Sequence, residues 1–206
     1  AVLCEVMNDD GTMARLPDLL PFAAAHGLRI GTIADLIRYR AANESLVERI
    51  CTRRVMTPAG GFELIAYRDQ PSGGAHLALV HGTPTPEREA LVRVHEPLSV
   101  LDMLDVQEWT HAWPLLKALE RIARSESGAL VMLNCGEASE QLFARLDATR
   151  NAAEAARSPT ADLRTYGVGA QILRDLGVRR MKLLAKPRKM PSMAGFGLQV
   201  TGYLED

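Results

Sequence analysis

Three cysteines and five histidines are the first residues to weigh for chemistry in this 206-residue chain. Cys4, Cys51 and Cys135 lie far apart with no C-x-x-C spacing, so they read as reduced, unpaired thiols of a cytoplasmic protein. A zinc site needs three or four converging N, S or O donors, and three scattered thiols do not supply one by spacing. His81 and His95 fall on segments that read as neighbouring strands, with His76 and Glu96 close in sequence. They offer donors but no H-x-H or H-x-x-H pair, so the metal reading of the chain is none. Glu5 ends an apolar stretch beside the acidic turn Asn8-Asp9-Asp10-Gly11. It suits either a solvated cap or, with a burial-raised pKa, an acid–base group. Asp162 and Arg164 open a helix, where an Asp is favoured by the helix dipole. Arg179, Arg180, Lys182, Lys186, Arg188 and Lys189 form a basic cluster without interleaved aromatics. It reads as a solvated face or a residual anion site.

The elements that must position these groups follow from hydrophobic periodicity and punctuation. Ala1–Val6 predicts a short strand, Pro17–His26 a helix stopped by Gly27, Leu28–Ile30 a short strand, and Ile33–Ala42 a helix capped by Thr32. Asn43–Ile50 is polar and reads as a joint. Strands then follow at Arg54–Met56, Gly61–Tyr67, Leu77–His81 and Ala90–His95, with turns at Thr57-Pro58-Ala59-Gly60 and Ser72-Gly73-Gly74. Pro114–Arg124 carries a helical stripe, Ala129–Asn134 a buried strand, and Ala161–Leu176 a helix ended by Gly177. Met181–Leu184 and Leu198–Tyr203 close the pattern as strands. Residues 137–161, rich in Ala, Arg and Glu, read as a surface helix or a mobile segment. The fold class is α/β (α+β): residues 1–42 as the tail of one α/β domain, 43–50 as a linker, and 51–206 as a mixed-sheet domain.

Composition excludes several partners. With 24 Lys+Arg against 25 Asp+Glu, the formal net charge of −1 gives no electrostatic case for nucleic acid or an anionic membrane surface. No apolar run approaches the roughly 20 residues of a spanning helix. The chain opens Ala-Val-Leu-Cys without an initiator Met, inside what reads as a strand already under way. The expectation is that it starts partway through a longer protein.

Cys4-Glu5-Val6-Met7-Asn8-Asp9-Asp10-Gly11-Thr12-Met13-Ala14-Arg15, with Ile30-Gly31-Thr32-Ile33-Ala34-Asp35-Leu36-Ile37-Arg38-Tyr39-Arg40 downstream, resembles the C-terminal end of 3,4-dihydroxy-2-butanone 4-phosphate synthases. That resemblance implies an Mg²⁺-dependent homodimer acting on ribulose 5-phosphate, with Glu5 contacting substrate and the Mg²⁺ ligands lying upstream of this chain.

Residues 51–206 are similar to GTP cyclohydrolase II. The similarity rests on Thr57-Pro58-Ala59-Gly60-Gly61-Phe62, Leu77-Ala78-Leu79-Val80-His81-Gly82, Val92-Arg93-Val94-His95 and the long block from Asp162 through Val178. The family's catalytic Zn²⁺ is held by three cysteines, and by spacing those positions are here Leu98, Trp109 and His111. The family's R-Q-E-G-R run is replaced by Leu133-Asn134-Cys135-Gly136-Glu137, and its T-N-N-P-K-K segment by Ala185-Lys186-Pro187-Arg188-Lys189. Asp162 and Arg164 match the family's acid and arginine at the reaction centre, and Arg93 and His95 are weaker binding candidates.

The expectation is therefore a riboflavin-biosynthesis protein whose parent is the synthase, with Zn²⁺ absent and an inactive cyclohydrolase-like domain kept for a structural or regulatory role. Two alternatives stand beside it. One is a working GTP cyclohydrolase II with relocated ligands. The other is a module that binds a nucleotide or phosphate around Arg93, Arg164 and the basic cluster.

Overall fold

The computed structural model describes residues 3–96, 113–136, 163–187 and 193–205. Seven strands form one mixed sheet: β1 Val47–Thr57, β2 Gly60–Asp69, β3 Ala75–His81, β4 Glu89–His95, β5 Gly128–Met132, β6 Arg180–Leu184 and β7 Gln199–Leu204. Their order is β1-β2-β3-β5-β4-β6-β7. The first half is an antiparallel meander continued by β3 against β5, and the second half, β5-β4-β6-β7, is parallel. The burial patterns follow this division. In β2, Phe62, Ile65 and Tyr67 are buried while Glu63 and Arg68 are exposed, as a half-covered strand requires. β5 is buried at every position, Gly-Ala-Leu-Val-Met, because helices cover both of its faces.

Those covers are α3, Leu115–Ala123, and α4, Leu163–Asp175. In α3, Ala118, Leu119 and Ile122 share one face and pack with Phe62, Leu79, Leu91 and Leu130 on one side of the sheet. In α4, Val168, Ile172 and Leu173 pack with Ile65, Val80, Val92 and Val131 on the other side. Burying a Leu or Ile side chain of this kind stabilises by about 1.5–3 kcal/mol. No described helix is long and apolar enough to cross a membrane.

The N-terminal residues are held differently. α1, Leu16–His26, begins where the Asp18 carboxylate accepts from the Arg15 N–H at 2.8 Å, and ends at Gly27 in the left-handed region. α2, Ile33–Asn43, has a reciprocal cap: Thr32 Oγ1 accepts from the Asp35 N–H at 3.0 Å, and Asp35 Oδ2 accepts from the Thr32 N–H at 3.1 Å. Asp10 accepts from both the Thr12 hydroxyl and its N–H, which holds the carboxyl below its ordinary pKa. Only Ala23 of α1 is buried, and Leu16, Leu20, Ile33, Leu36 and Tyr39 stand exposed.

Most expected elements occur within a few residues of their predicted bounds, with four differences. Residues 3–6 and Leu28–Ile30 form no strand, since no described strand lies alongside them; the only pairing there is a bridge from Met7 to Met13. β1 begins at Val47, inside the segment expected to be a joint, because Val47–Arg49 pair with Tyr67–Asp69. His81 and His95 are not on neighbouring strands, because β5 lies between β3 and β4. The expected surface helix or mobile segment at 137–161 lies outside the described residues.

The parallel β4–β5 pair depends on Gly128. A Cβ there would meet the Leu91 carbonyl oxygen, with Ile122 Cγ2 at 3.0 Å, so the backbone of β4 and the side chain of α3 both close on it. Gly128→Ala is expected to destabilise the chain by about 1–3 kcal/mol in a urea titration, as overpacking of a filled core does.

Candidate functional site

The arrangement of covers singles out the carboxyl ends of β4 and β5. β4 and β5 are parallel neighbours, yet the chain beyond β4 goes on to α3 on one face and the chain beyond β5 to α4 on the other. Adjacent parallel strands whose continuations part to opposite faces leave an opening at their carboxyl ends, where open α/β sheets take their ligands. His95 and Glu96 end or follow β4 at this edge, and Leu133, Asn134 and Cys135 follow β5, with His95 and Leu133 buried. The start of β3, antiparallel to β5, brings Ala75 and His76 to the same edge.

A short hydrogen-bond chain spans this opening. The Asn134 N–H donates to His76 Nδ1 at 3.0 Å, and Asn134 Nδ2 donates to Glu96 Oε1 at 2.9 Å. In the neutral ring the acceptor role of Nδ1 places the proton on Nε2. Asn134 is the only described non-glycine residue with positive φ, at 54°. That conformation is tolerated best by Asn among side-chain-bearing residues. It lets one residue bind His76 through its backbone and Glu96 through its side chain. Cys135 N–H donates to the Ala75 carbonyl at 3.0 Å, and its thiol lies 3.4 Å from the Met132 carbonyl. Burial pushes the Cys135 thiol pKa up, so it is a poorer thiolate ligand or nucleophile than an exposed cysteine.

The expected site residues are distributed as follows. His95 is buried, and its carbonyl accepts from the Leu133 N–H at 3.0 Å. Arg93 is also buried and turns into the sheet, where Nη1 donates to the Leu184 carbonyl at 2.9 Å and so ties β4 to the end of β6. Arg164 lies in the first turn of α4, and Asp162 lies outside the described residues. Glu5 is exposed in the N-terminal segment. Leu98, Trp109 and His111 lie outside the described residues, as do Arg188 and Lys189. The rest of the basic cluster divides between two roles. Arg179 Nη1 donates to the Arg174 and Val178 carbonyls at 3.0 and 2.7 Å, closing the C-terminal end of α4, while Arg180 and Lys186 are exposed.

The histidine set does not converge. His81 pairs with Gly128 at the start of β5 and His95 with Met132 at its end, about 13 Å apart along the strand. His81 instead lies against the Phe62 ring, with centroids 5.7 Å apart. Among the described residues no group of three His, Cys, Asp or Glu is placed to hold a metal ion. Asn134, which joins His76 to Glu96, was missed as a site residue in the sequence; the only signal was an Asn directly after a buried apolar run.

A seven-stranded mixed sheet with helices on both faces defines the class: an α/β domain preceded by a short helical tail. The chain belongs to the GTP cyclohydrolase II family, whose model matches residues 48–205. Residues 1–39 match the model of 3,4-dihydroxy-2-butanone 4-phosphate synthase. The chain is 46% identical over 205 residues to a 3,4-dihydroxy-2-butanone 4-phosphate synthase of Neisseria meningitidis serogroup A, covering 100% of this chain and 55% of that protein. It is 44% identical over 210 residues to the riboflavin biosynthesis protein RibBA of Aquifex aeolicus, covering 97% of this chain and 52% of the relative. The crystal structure of RibBX, a two-domain 3,4-dihydroxy-2-butanone 4-phosphate synthase from A. baumannii, superposes with a TM-score of 0.54 at 39% identity, covering 98% of this chain and 53% of that one. The chain spans about half the length of these relatives.

The Asn134 link carries a prediction. Asn134→Val, which resists positive φ, is expected to cost about 1–2 kcal/mol in chemical denaturation. Asn134→Gly keeps the backbone conformation and should cost less, while releasing Glu96.

Proposed function

We propose that this chain is the C-terminal part of a riboflavin-biosynthesis protein whose activity is that of a 3,4-dihydroxy-2-butanone 4-phosphate synthase. Its substrate is ribulose 5-phosphate and its products are dihydroxybutanone phosphate and formate. In this reading the GTP cyclohydrolase II-family domain does not hydrolyse GTP and serves a structural or regulatory role. The observation that carries it is the donor set. The positions corresponding to the family's three zinc cysteines are Leu98, Trp109 and His111, which offer one ligand where three are required. Without a metal to lower the pKa of water, Asp162 and Arg164 have no activated nucleophile to assist. The replacement of the R-Q-E-G-R run by Leu133-Asn134-Cys135-Gly136-Glu137 also removes two arginines suited to a triphosphate.

The N-terminal residues support the other half of the reading. Glu5 is an exposed carboxylate able to take or hold a substrate proton, and Mg²⁺ would be held by residues preceding this chain. The exposed Leu16, Leu20, Ile33, Leu36 and Tyr39 form apolar surface of the kind that the rest of a synthase domain would cover. Assembly as a homodimer in the cytoplasm belongs to the same proposal.

A second reading, an active GTP cyclohydrolase II, is favoured by the family match over 48–205 and by the similarity to a RibBA protein. Formate release separates the two. The full-length protein with Mg²⁺ is expected to release formate from ribulose 5-phosphate and none from GTP. Glu5→Gln should slow the first reaction by about 100-fold or more, the usual scale for a lost acid–base group. Formate and pyrophosphate released from GTP would favour the second reading.

A further inference from the structure

The two family matches end at residue 39 and begin at residue 48, so residues 40–47 belong to neither. This joint is nonetheless pinned by side chains of α4. Gln171, only 8% exposed, accepts from the Leu46 N–H through Oε1 at 2.6 Å and donates through Nε2 to the Glu44 carbonyl at 3.1 Å. One carboxamide thus satisfies an N–H and a C=O two residues apart, as a neighbouring strand would. The Leu46 carbonyl accepts from the Gln70 N–H at 2.9 Å, which ties the same residue to the end of β2.

A second grip lies one helical turn further along α4. Asp175 Oδ2 accepts from Arg49 Nε and Nη2 at 3.0 and 2.7 Å and from the Tyr67 hydroxyl at 2.6 Å. Tyr67 is buried, and its phenol pKa is pushed well above the usual value by that burial and by the bond to Asp175, so it remains a donor. Gln171 and Asp175 are four residues apart and share a face of the helix. The Arg49–Asp175 pair is solvent-exposed and contributes little by itself. The buried Gln171 bonds are the stronger part, since breaking them would strand a buried polar group.

We infer that the C-terminal half of α4 is an interdomain docking surface whose partner is the synthase-like module of the same polypeptide. Gln171 and Asp175 lock the joint at Glu44–Arg49 and thereby set the direction of α2, which ends at Asn43. α2 also packs against the single-turn helix Met193–Phe196, so its seat on this domain has two supports. The domain thus braces the last helix of the synthase-like module. This identity of the partner rests on the function proposed above, whereas the lock itself does not.

Hydrogen exchange on the full chain, without nucleotide, tests the lock. Gln171→Met keeps side-chain volume but can neither accept from Leu46 nor donate to Glu44. In this variant the Leu46 amide is expected to exchange at least about tenfold faster, with Ile65 and Val131 in the core strands unchanged. Asp175→Asn should accelerate Leu46 less than Gln171→Met does. Unchanged exchange at Leu46 would overturn the inference. So would a uniform loss of protection that includes Val131, because Gln171 would then be a core residue and no lock. Failure of the functional reading would show separately, as no formate from ribulose 5-phosphate in the unmutated full-length protein.

Discussion

Parallel pairing of β4 with β5 is the constraint on which the rest of this structure depends. Two parallel strands side by side need a crossover between them, and both of their faces must be covered. Here α3 and α4 supply those covers from opposite sides, and Gly128 lets the strands approach beneath Ile122. The same arrangement puts the helix that follows β4 in sequence on one face and the helix that follows β5 on the other. Asn134 then links His76 to Glu96 by accepting an uncommon backbone conformation. Fold and candidate site are therefore one construction, and the site's outline persists for as long as the core does.

That dependence is compatible with the structural role proposed for the domain. The core residues of β4, β5 and α4 are apolar and close-packed, so substitutions among them are costly. Under the proposed function, replacement of the family's zinc cysteines by Leu98, Trp109 and His111 would cost catalysis while this core pattern is kept. The described part of the domain carries a helix, α4, whose C-terminal half bonds to the segment preceding β1. A structural role for such a domain needs no nucleophile, only buried polar bonds of fixed geometry such as those of Gln171.

Much of this was legible from local signals. The strand Leu77–His81 and the helix capped by Thr32 follow from periodicity and capping chemistry, which act over a few residues. The buried strand β5 is legible as a continuous apolar run between turn residues. The placement of β5 between β3 and β4 was not legible, because strand order is set by contacts distant in sequence. Hence His81 and His95 look adjacent in sequence and are separated in space. Val47–Arg49 read as linker for a similar reason: their pairing with Tyr67–Asp69 compensates for a polar composition. Gln171 was hidden too, since a lone Gln within an apolar helical block gives no hint of the two backbone groups that it serves. Asn134 left only a weak trace, an Asn where a buried strand ends.

The central proposal is that the cyclohydrolase-family domain holds no catalytic zinc. A zinc titration of the metal-stripped full-length protein against a competing chelator tests it most directly. The account predicts no site tighter than about micromolar, an affinity worth only about 8 kcal/mol and short of the 10–16 kcal/mol of structural zinc sites. One zinc per chain, retained against the chelator and lost in His111→Ala, would contradict it.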